Sequence, residues 1–269
     1  MNVRHPCVSG QFYEENAERL REQVKGCLPK EPKQKREAEA LVVPHAGLMY
    51  SGKVAGEVYA SISWPPTVLF LGPNHTGEGK PVSLSTAAKW RTPLGDVEVD
   101  RELARILLDH APELEEDDEA HRLEHSLEVQ LPFLQFLSRQ TKIVPIAVGF
   151  SAPERYKTFG HHLAKATEES QKKVMVIASS DMTHYESHHD AMEKDLYAVQ
   201  AILAVDPDLL AKRVEERHIS MCGVAPTLAM LSYVRRRFRA QGELIRYQTS
   251  GDVTGDRSSV VGYAGILIR

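Results

Sequence analysis

The chain has 269 residues, 42% of them apolar, enough to bury a substantial core in one large α/β domain or two modest ones. A formal charge of −4 and a pI near 6.3 provide no basic footprint for nucleic acid or for an anionic membrane surface. No apolar run reaches the roughly 18 residues of a membrane span, the N-terminus lacks the basic-then-apolar order of a secretory signal, and Cys7, Cys27 and Cys222 are too sparse for a disulfide framework, so a cytoplasmic protein with free thiols is expected.

In chain order, Arg4 to Tyr13 has no clean period and is expected to be an extended arm closing over the core. Leu20 and Val24 fall four apart among charged residues, which predicts a short amphipathic helix over about 16–26. Lys30 to Glu39, charged and carrying Pro32, reads as an exposed loop. The apolar run Leu41-Val42-Val43 then ends in Pro44-His45-Ala46-Gly47, and a helix is expected from about Lys53 to Ile62. Thr67 to Leu71 repeats the pattern and ends in Gly72-Pro73-Asn74-His75; the short return through a helix implies that these two strands are parallel neighbours. Val82 to Ala87 and Gly95 to Val99 suggest a hairpin around Trp90 to Leu94, followed by a helix over about 100–110.

An acidic loop leads to Glu124-His125-Ser126, after which Leu127, Leu131, Leu134 and Leu137 have helical spacing, with Pro132 expected to bend the helix and Glu124, Glu128 and Gln130 to form its polar face. Ile143 to Gly149 is a strand and Pro153 to Ser170 a helix; Val174 to Ser179 then repeats the strand-to-histidine construction as Ser180-Asp181-Met182-Thr183-His184. Helices follow over about 189–203, 208–216 and from Cys222-Gly223 onward, with Pro226 harmless in a first turn, and two late strands at 244–249 and 260–268 finish the sheet. No linker divides residues 1–269, so a single domain is expected: a three-layer α/β/α fold with a mixed, largely parallel central sheet.

Ligands of open α/β sheets bind at the carboxyl ends of strands, so the three histidine-bearing ends are read as one pocket. His45 and His75, on adjacent strands and followed by Gly or Thr-Gly, bring two imidazoles within reach of one metal. Cys222 is the third candidate ligand, because a helix N-terminus lowers a thiol pKa. Two histidines and a thiolate suit iron, copper or zinc and are too soft for magnesium or calcium. Asp181 and His184, three apart, form an acid–base pair in outline, with a helix cap as the plain alternative. Glu124 and His125 are weaker pocket candidates. His161-His162 and His188-His189 lie on polar helix faces, Gly251 to Arg257 lacks the ligand pattern of an EF-hand, and Arg235 to Arg237 suits a helix C-terminus.

As a set, Pro44 to Gly47, Gly72 to His75, Thr92 to Leu94, Glu124 to Pro132, Ser179 to His184, Met221 to Gly223 and Val260 to Ala264, with the arm ending Gly10-Gln11-Phe12-Tyr13, resemble the motifs of the Memo family along almost the whole chain. That family is similar to class III extradiol dioxygenases, which hold non-haem Fe(II) with two histidines and a carboxylate while another histidine does acid–base work on a catechol and dioxygen. The resemblance implies His45 and His75 as metal ligands and His184 as the acid–base group, while Cys222 stands where those enzymes use Glu. It also implies copper or iron binding, phosphopeptide partners in animal members, and association of prokaryotic members with a radical-SAM protein. The expected function is an iron- or copper-dependent oxidoreductase acting on a small molecule; the alternatives are a peptide- or protein-binding module that retains the pocket, and a zinc hydrolase using the same ligands.

Overall fold

The computed structural model describes residues 2–31, 34–149 and 151–269; Pro32, in the expected charged loop, lies outside them. The arm starts with β1 (Val3–Arg4), and α1 (Ala17–Cys27) is capped by Asn16, whose side chain accepts the amides of Glu18 and Arg19. Strand β2 (Ala40–Val43) delivers His45, and α2 (Leu48–Ala60) begins five residues earlier than its apolar spacing suggested. Next come β3 (Thr67–Pro73), β4 (Val82–Leu84), β5 (Lys89–Thr92) and β6 (Gly95–Glu98). Helix α3 (Arg101–His110) is capped by the Asp100 carboxylate, and short pieces β7 (Glu115–Glu116) and α4 (Glu119–Arg122) lead to α5 (Leu131–Leu137). The second half runs β8 (Lys142–Val148), α6 (Pro153–Ser170), β9 (Val174–Ser179), β10 (His184–Glu186), α7 (His188–Leu203), α8 (Pro207–Arg217), α9 (Val224–Arg237), β11 (Gly242–Thr249), α10 (Gly251–Thr254) and β12 (Val260–Ile268).

Among the described residues nine strands make one mixed sheet in the order β10-β12-β2-β9-β3-β8-β4-β7, with β11 on β12. The four middle strands β2, β9, β3 and β8 are parallel; β12 and β4 flank them antiparallel, so the parallel character belongs to the centre. Successive residues of the central strands face opposite layers. Ala40, Val42, Leu69, Leu71, Val176 and Ala178 join the core under α3, α6, α7 and α9, whereas Leu41, Val43, Val68, Phe70, Met175 and Ile177 join the core under α1, α2 and α5. Burial on both faces explains why these strands read as continuous apolar runs.

Three expectations need correction. Strands β2 and β3 are not neighbours: β9 lies between them and pairs with both, because chain order does not dictate sheet order once a third parallel strand is inserted. The hairpin is β5–β6, closed at Pro93-Leu94, while Val82 to Leu84 pairs instead with β8 and β7. Lys89 to Thr92 buries only Trp90 and Thr92, a period-two pattern that the search for apolar runs passed over. Finally, Pro132 stands in the first turn of α5 and bends nothing, since a first-turn amide has no helical partner to lose.

Candidate metal centre

The pocket lies over the carboxyl end of β9. His45 follows β2 and His75 follows β3, on strands about 10 Å apart with β9 between them, and their rings lean inward until the centroids are 5.2 Å apart. His125 completes the group, stacked on His75 at 4.7 Å and edge-on to His45 at 5.4 Å. One nitrogen from each of these three rings lies within 4.8 Å of the others, the three-donor cluster found among the described residues.

Two close approaches make the pocket possible. A Cβ on Gly72 would collide with Ser126 and Leu127, so glycine there lets the segment carrying His125 rest on the end of β3. A Cβ on Gly223 would collide with Ser180, so glycine lets the start of α9, and Cys222 with it, approach the end of β9.

The hydrogen bonds fix the tautomers. Ser179 Oγ donates to the Ser126 carbonyl at 2.7 Å and accepts from Gln130 Nε2 at 2.8 Å, so its 2.9 Å contact with His45 Nδ1 is an N–H donated by the ring. Glu124 accepts the His75 amide at 2.6 Å, the His75 Nδ1–H at 3.0 Å and the Ser126 amide at 2.8 Å. His184 donates its Nδ1–H to the Ser220 carbonyl at 2.9 Å, while its backbone amide donates to Ser220 Oγ at 2.8 Å. With Nδ1 donating in each, the neutral tautomer of each ring carries its lone pair on Nε2. Orienting partners of this kind are what metal-bound histidines have.

Electrostatics follow the same layout. Burial, then the rings of His125, His75 and His184, push the His45 pKa well below the usual imidazole value. Burial also lowers His125, whereas in His75 it is outweighed by the hydrogen bond and charge of Glu124, which raise the pKa. Glu124 is itself buried, which opposes ionisation, yet His75 and the Ser126 amide hold its pKa down to about 2. It is a fixed negative charge behind the cluster.

Asp181 accepts the amides of His45 at 2.8 Å and Ala46 at 3.3 Å, tying β2 to the turn after β9. Burial, only partly offset by those donors, raises its pKa to about 6. Cys222 Sγ lies 3.3 Å from His45 Nε2 and accepts the Asp181 amide at 3.3 Å. Its position before α9 does not lower the thiol pKa: burial and the Asp181 charge push it up, so without a metal the group is a thiol that can donate to the unprotonated His45 Nε2. The structure thus gathers His45, His75, His125, Glu124, Asp181, His184 and Cys222 around one strand end. It does not bring in His161, His162, His188 or His189; His162 contacts Glu113 and His188 contacts Thr249.

The donor set fits a transition metal, because neutral imidazoles and a thiol are borderline or soft donors and the buried carboxylates are occupied with backbone and ring donors. Sequence reasoning missed the supports. Glu124, Glu128 and Gln130 are buried, not a solvated helix face: Gln130 accepts from Tyr59 and donates to Pro44 and Ser179, and Glu128 receives Arg4, Tyr13 and the amides of Cys7 and Val8. The available signal was the density of polar residues among leucines that spaced the segment for burial.

Comparisons with known proteins find relatives along the whole chain. The Memo-like protein family matches residues 4–267. A "MEMO1 family protein" of Methanosarcina mazei is 43% identical over 270 residues, covering all of both chains. Those of Sulfurisphaera tokodaii and Aquifex aeolicus are each 41% identical, with 98% and 99% of both chains covered. Among solved structures, an uncharacterised protein of Escherichia coli K12 superposes with a TM-score of 0.59 at 12% identity, over 86% of this chain and 100% of its own, which shows a shared fold. With a match over nearly its full length and relatives above 40% identity, this chain belongs to the Memo family.

Proposed function

We propose that the pocket binds iron or copper through His45 and His75, with His125 or Cys222 as third donor, and that the loaded protein oxidises a small dihydroxy compound with dioxygen. The observation that carries this reading is the shared tautomer: Ser179 and Glu124 occupy the Nδ1–H groups of the two strand-end rings, which leaves both Nε2 lone pairs facing the site, that of His45 with the Cys222 thiol 3.3 Å away. A redox-active metal held by these residues would supply the electron transfer to dioxygen. The chain's own residues do the rest. Glu124 and Ser179 orient the donor rings, Asp181 anchors the backbone beneath His45, and His184, its Nδ1–H given to Ser220, keeps an Nε2 lone pair to take a proton from a ligand hydroxyl.

The all-imidazole cluster supports a second reading, zinc-assisted hydrolysis, for which three histidines and an open position are a sufficient donor set. One experiment separates them: purify the protein anaerobically, measure its metals, load it with Fe(II), and follow oxygen with an electrode in the presence of catechols for wild type and His184→Ala. Oxygen uptake that needs both iron and the His184 ring supports the oxidase reading. Equal rates in the two proteins reduce it to autoxidation and favour a binding module. Native zinc with ester or phosphoester hydrolysis favours the second reading.

A further inference from the structure

We propose that Tyr185 is a stacking platform that selects a planar aromatic ligand for the neighbouring pocket; this rests on the metal-pocket reading above. The first observation is backbone strain. Among the described residues four non-glycine residues have positive φ, and Gln171, Val205 and His218 stand at the C-terminal ends of α6, α7 and α8, where a left-handed residue closes a helix. Tyr185 is the exception. It has φ +60° in β10, far from any helix end that needs it.

Its cause is a bulge: His184 pairs with Val261 and Glu186 with Val260, so Tyr185 is an extra residue in the antiparallel ladder. The bulge is clamped on both sides. Ser220 holds the backbone and ring of His184, Met182 donates to the Gly262 carbonyl, the Gly262 amide donates to Thr183, and Glu186 pairs with Lys194 at 2.7 Å.

The second observation is exposure. Tyr185 is 79% exposed, and among the described residues its hydroxyl makes no hydrogen bond. Neither burial nor a hydrogen bond offsets the strained backbone; within the fold the ring has only its edge contact with His184. What the bulge achieves is placement: the ring is turned outward with its centroid 5.9 Å from that of His184, at 62° to it. An exposed aromatic face fixed beside the acid–base histidine offers a planar ligand an offset-stacked or edge contact, worth about three- to tenfold in affinity. A strained backbone that leaves a large ring exposed beside the site is the kind of outlier that points to a role in binding.

The test uses the Fe(II)-loaded, anaerobic full chain and two chelating probes, 4-nitrocatechol, which has a ring, and acetohydroxamate, which has none. Tyr185→Ala is expected to keep the metal content of wild type, to weaken 4-nitrocatechol by about three- to tenfold and to leave acetohydroxamate unchanged, while Tyr185→Phe binds both as wild type does. Tyr185→Gly, which relieves the positive φ, is expected to raise the melting temperature by about 2–4 °C while losing the aromatic preference. Unchanged 4-nitrocatechol binding by Tyr185→Ala, or equal weakening of both probes, would overturn the platform, as would a Gly variant that melts no higher than wild type. Wild type that binds acetohydroxamate but not 4-nitrocatechol overturns the platform alone; metal-loaded wild type that binds neither overturns the pocket reading and the platform together.

Discussion

Glu124 is the residue whose replacement tests the centre most sharply. Its two oxygens accept three N–H groups, from the His75 backbone, the His75 ring and Ser126, so each oxygen faces at least one donor and neither tolerates becoming a donor itself. Glu124→Gln keeps the shape but turns one acceptor into an amide N–H facing another donor. We expect metal affinity to fall by about 10- to 100-fold and stability by on the order of 1–3 kcal/mol, read from competition with a chelator and from denaturant melts; wild-type affinity in this variant would remove Glu124 from the orienting role. The identity of the third donor is decided by one comparison. Cys222 lies beside His45 Nε2, whereas His125 shares the three-ring cluster. Metal analysis of His125→Ala and Cys222→Ser, beside His45→Ala and His75→Ala as depleted controls, is expected to show loss in whichever of the two variants has given up the true ligand and retention in the other.

At the scale of elements, the arm and the segment before α5 lock each other in place. Arg4 donates to the carbonyls of His121 and Glu124, pairs with Glu128 and covers the Trp90 ring at 4.6 Å, so β1 holds the backbone that carries Glu124. Beneath this clamp His121 is fully buried, edge-on to Trp90, with Nε2 donating to the Ser83 carbonyl and Nδ1 without a partner among the described residues. Burial is the main reason its pKa falls to about 4 from an unperturbed 6.5. Between those values the unfolded chain binds a proton that the folded chain refuses, so stability is full above about pH 6.5 and is lost as pH falls toward 4, by on the order of 3 kcal/mol from this residue. Asp181, with its raised pKa, works in the opposite direction over part of that range. The measurement is therefore the difference between proteins: in melts from pH 7 to 4.5, His121→Gln should lose stability less steeply than wild type, and parallel curves would show that His121 does not titrate as described. The arm itself was legible as an irregular extended stretch, but its task was not, because no periodicity announces that Arg4 and Glu128, 124 residues apart, will meet.

For the whole molecule, what the sequence made legible was local, and what it concealed was adjacency. Continuous apolar runs marked β2, β3, β8 and β9, and each histidine at their ends was visible for the same reason: a polar ring directly after a buried strand must sit where the sheet ends. The insertion of β9 between β2 and β3 was not visible, since every parallel neighbour satisfies the same apolar pattern, and with it the role of Ser179 as the bridge beneath His45 stayed hidden. That adjacency has a thermodynamic consequence. The proposed ligands His45 and His75 follow β2 and β3, with β9 between, and the turn after β9 is tied to His45 through Asp181, so an ion bound there in the native state and absent from the unfolded chain would stabilise the central sheet as a unit. At a free metal concentration 100 times the dissociation constant the gain is about 2.7 kcal/mol, which for a chain of this size shifts the melting temperature by on the order of 5–10 °C. Calorimetry of the chelator-stripped protein titrated with Fe(II) under argon, and separately with Zn(II), should show a single transition that moves upward with the logarithm of metal concentration. His75→Ala should melt at the same temperature with or without metal, because removing one ligand unlinks β3 from the ion. A metal-dependent shift of wild-type size in that variant would place the bound ion elsewhere on the protein.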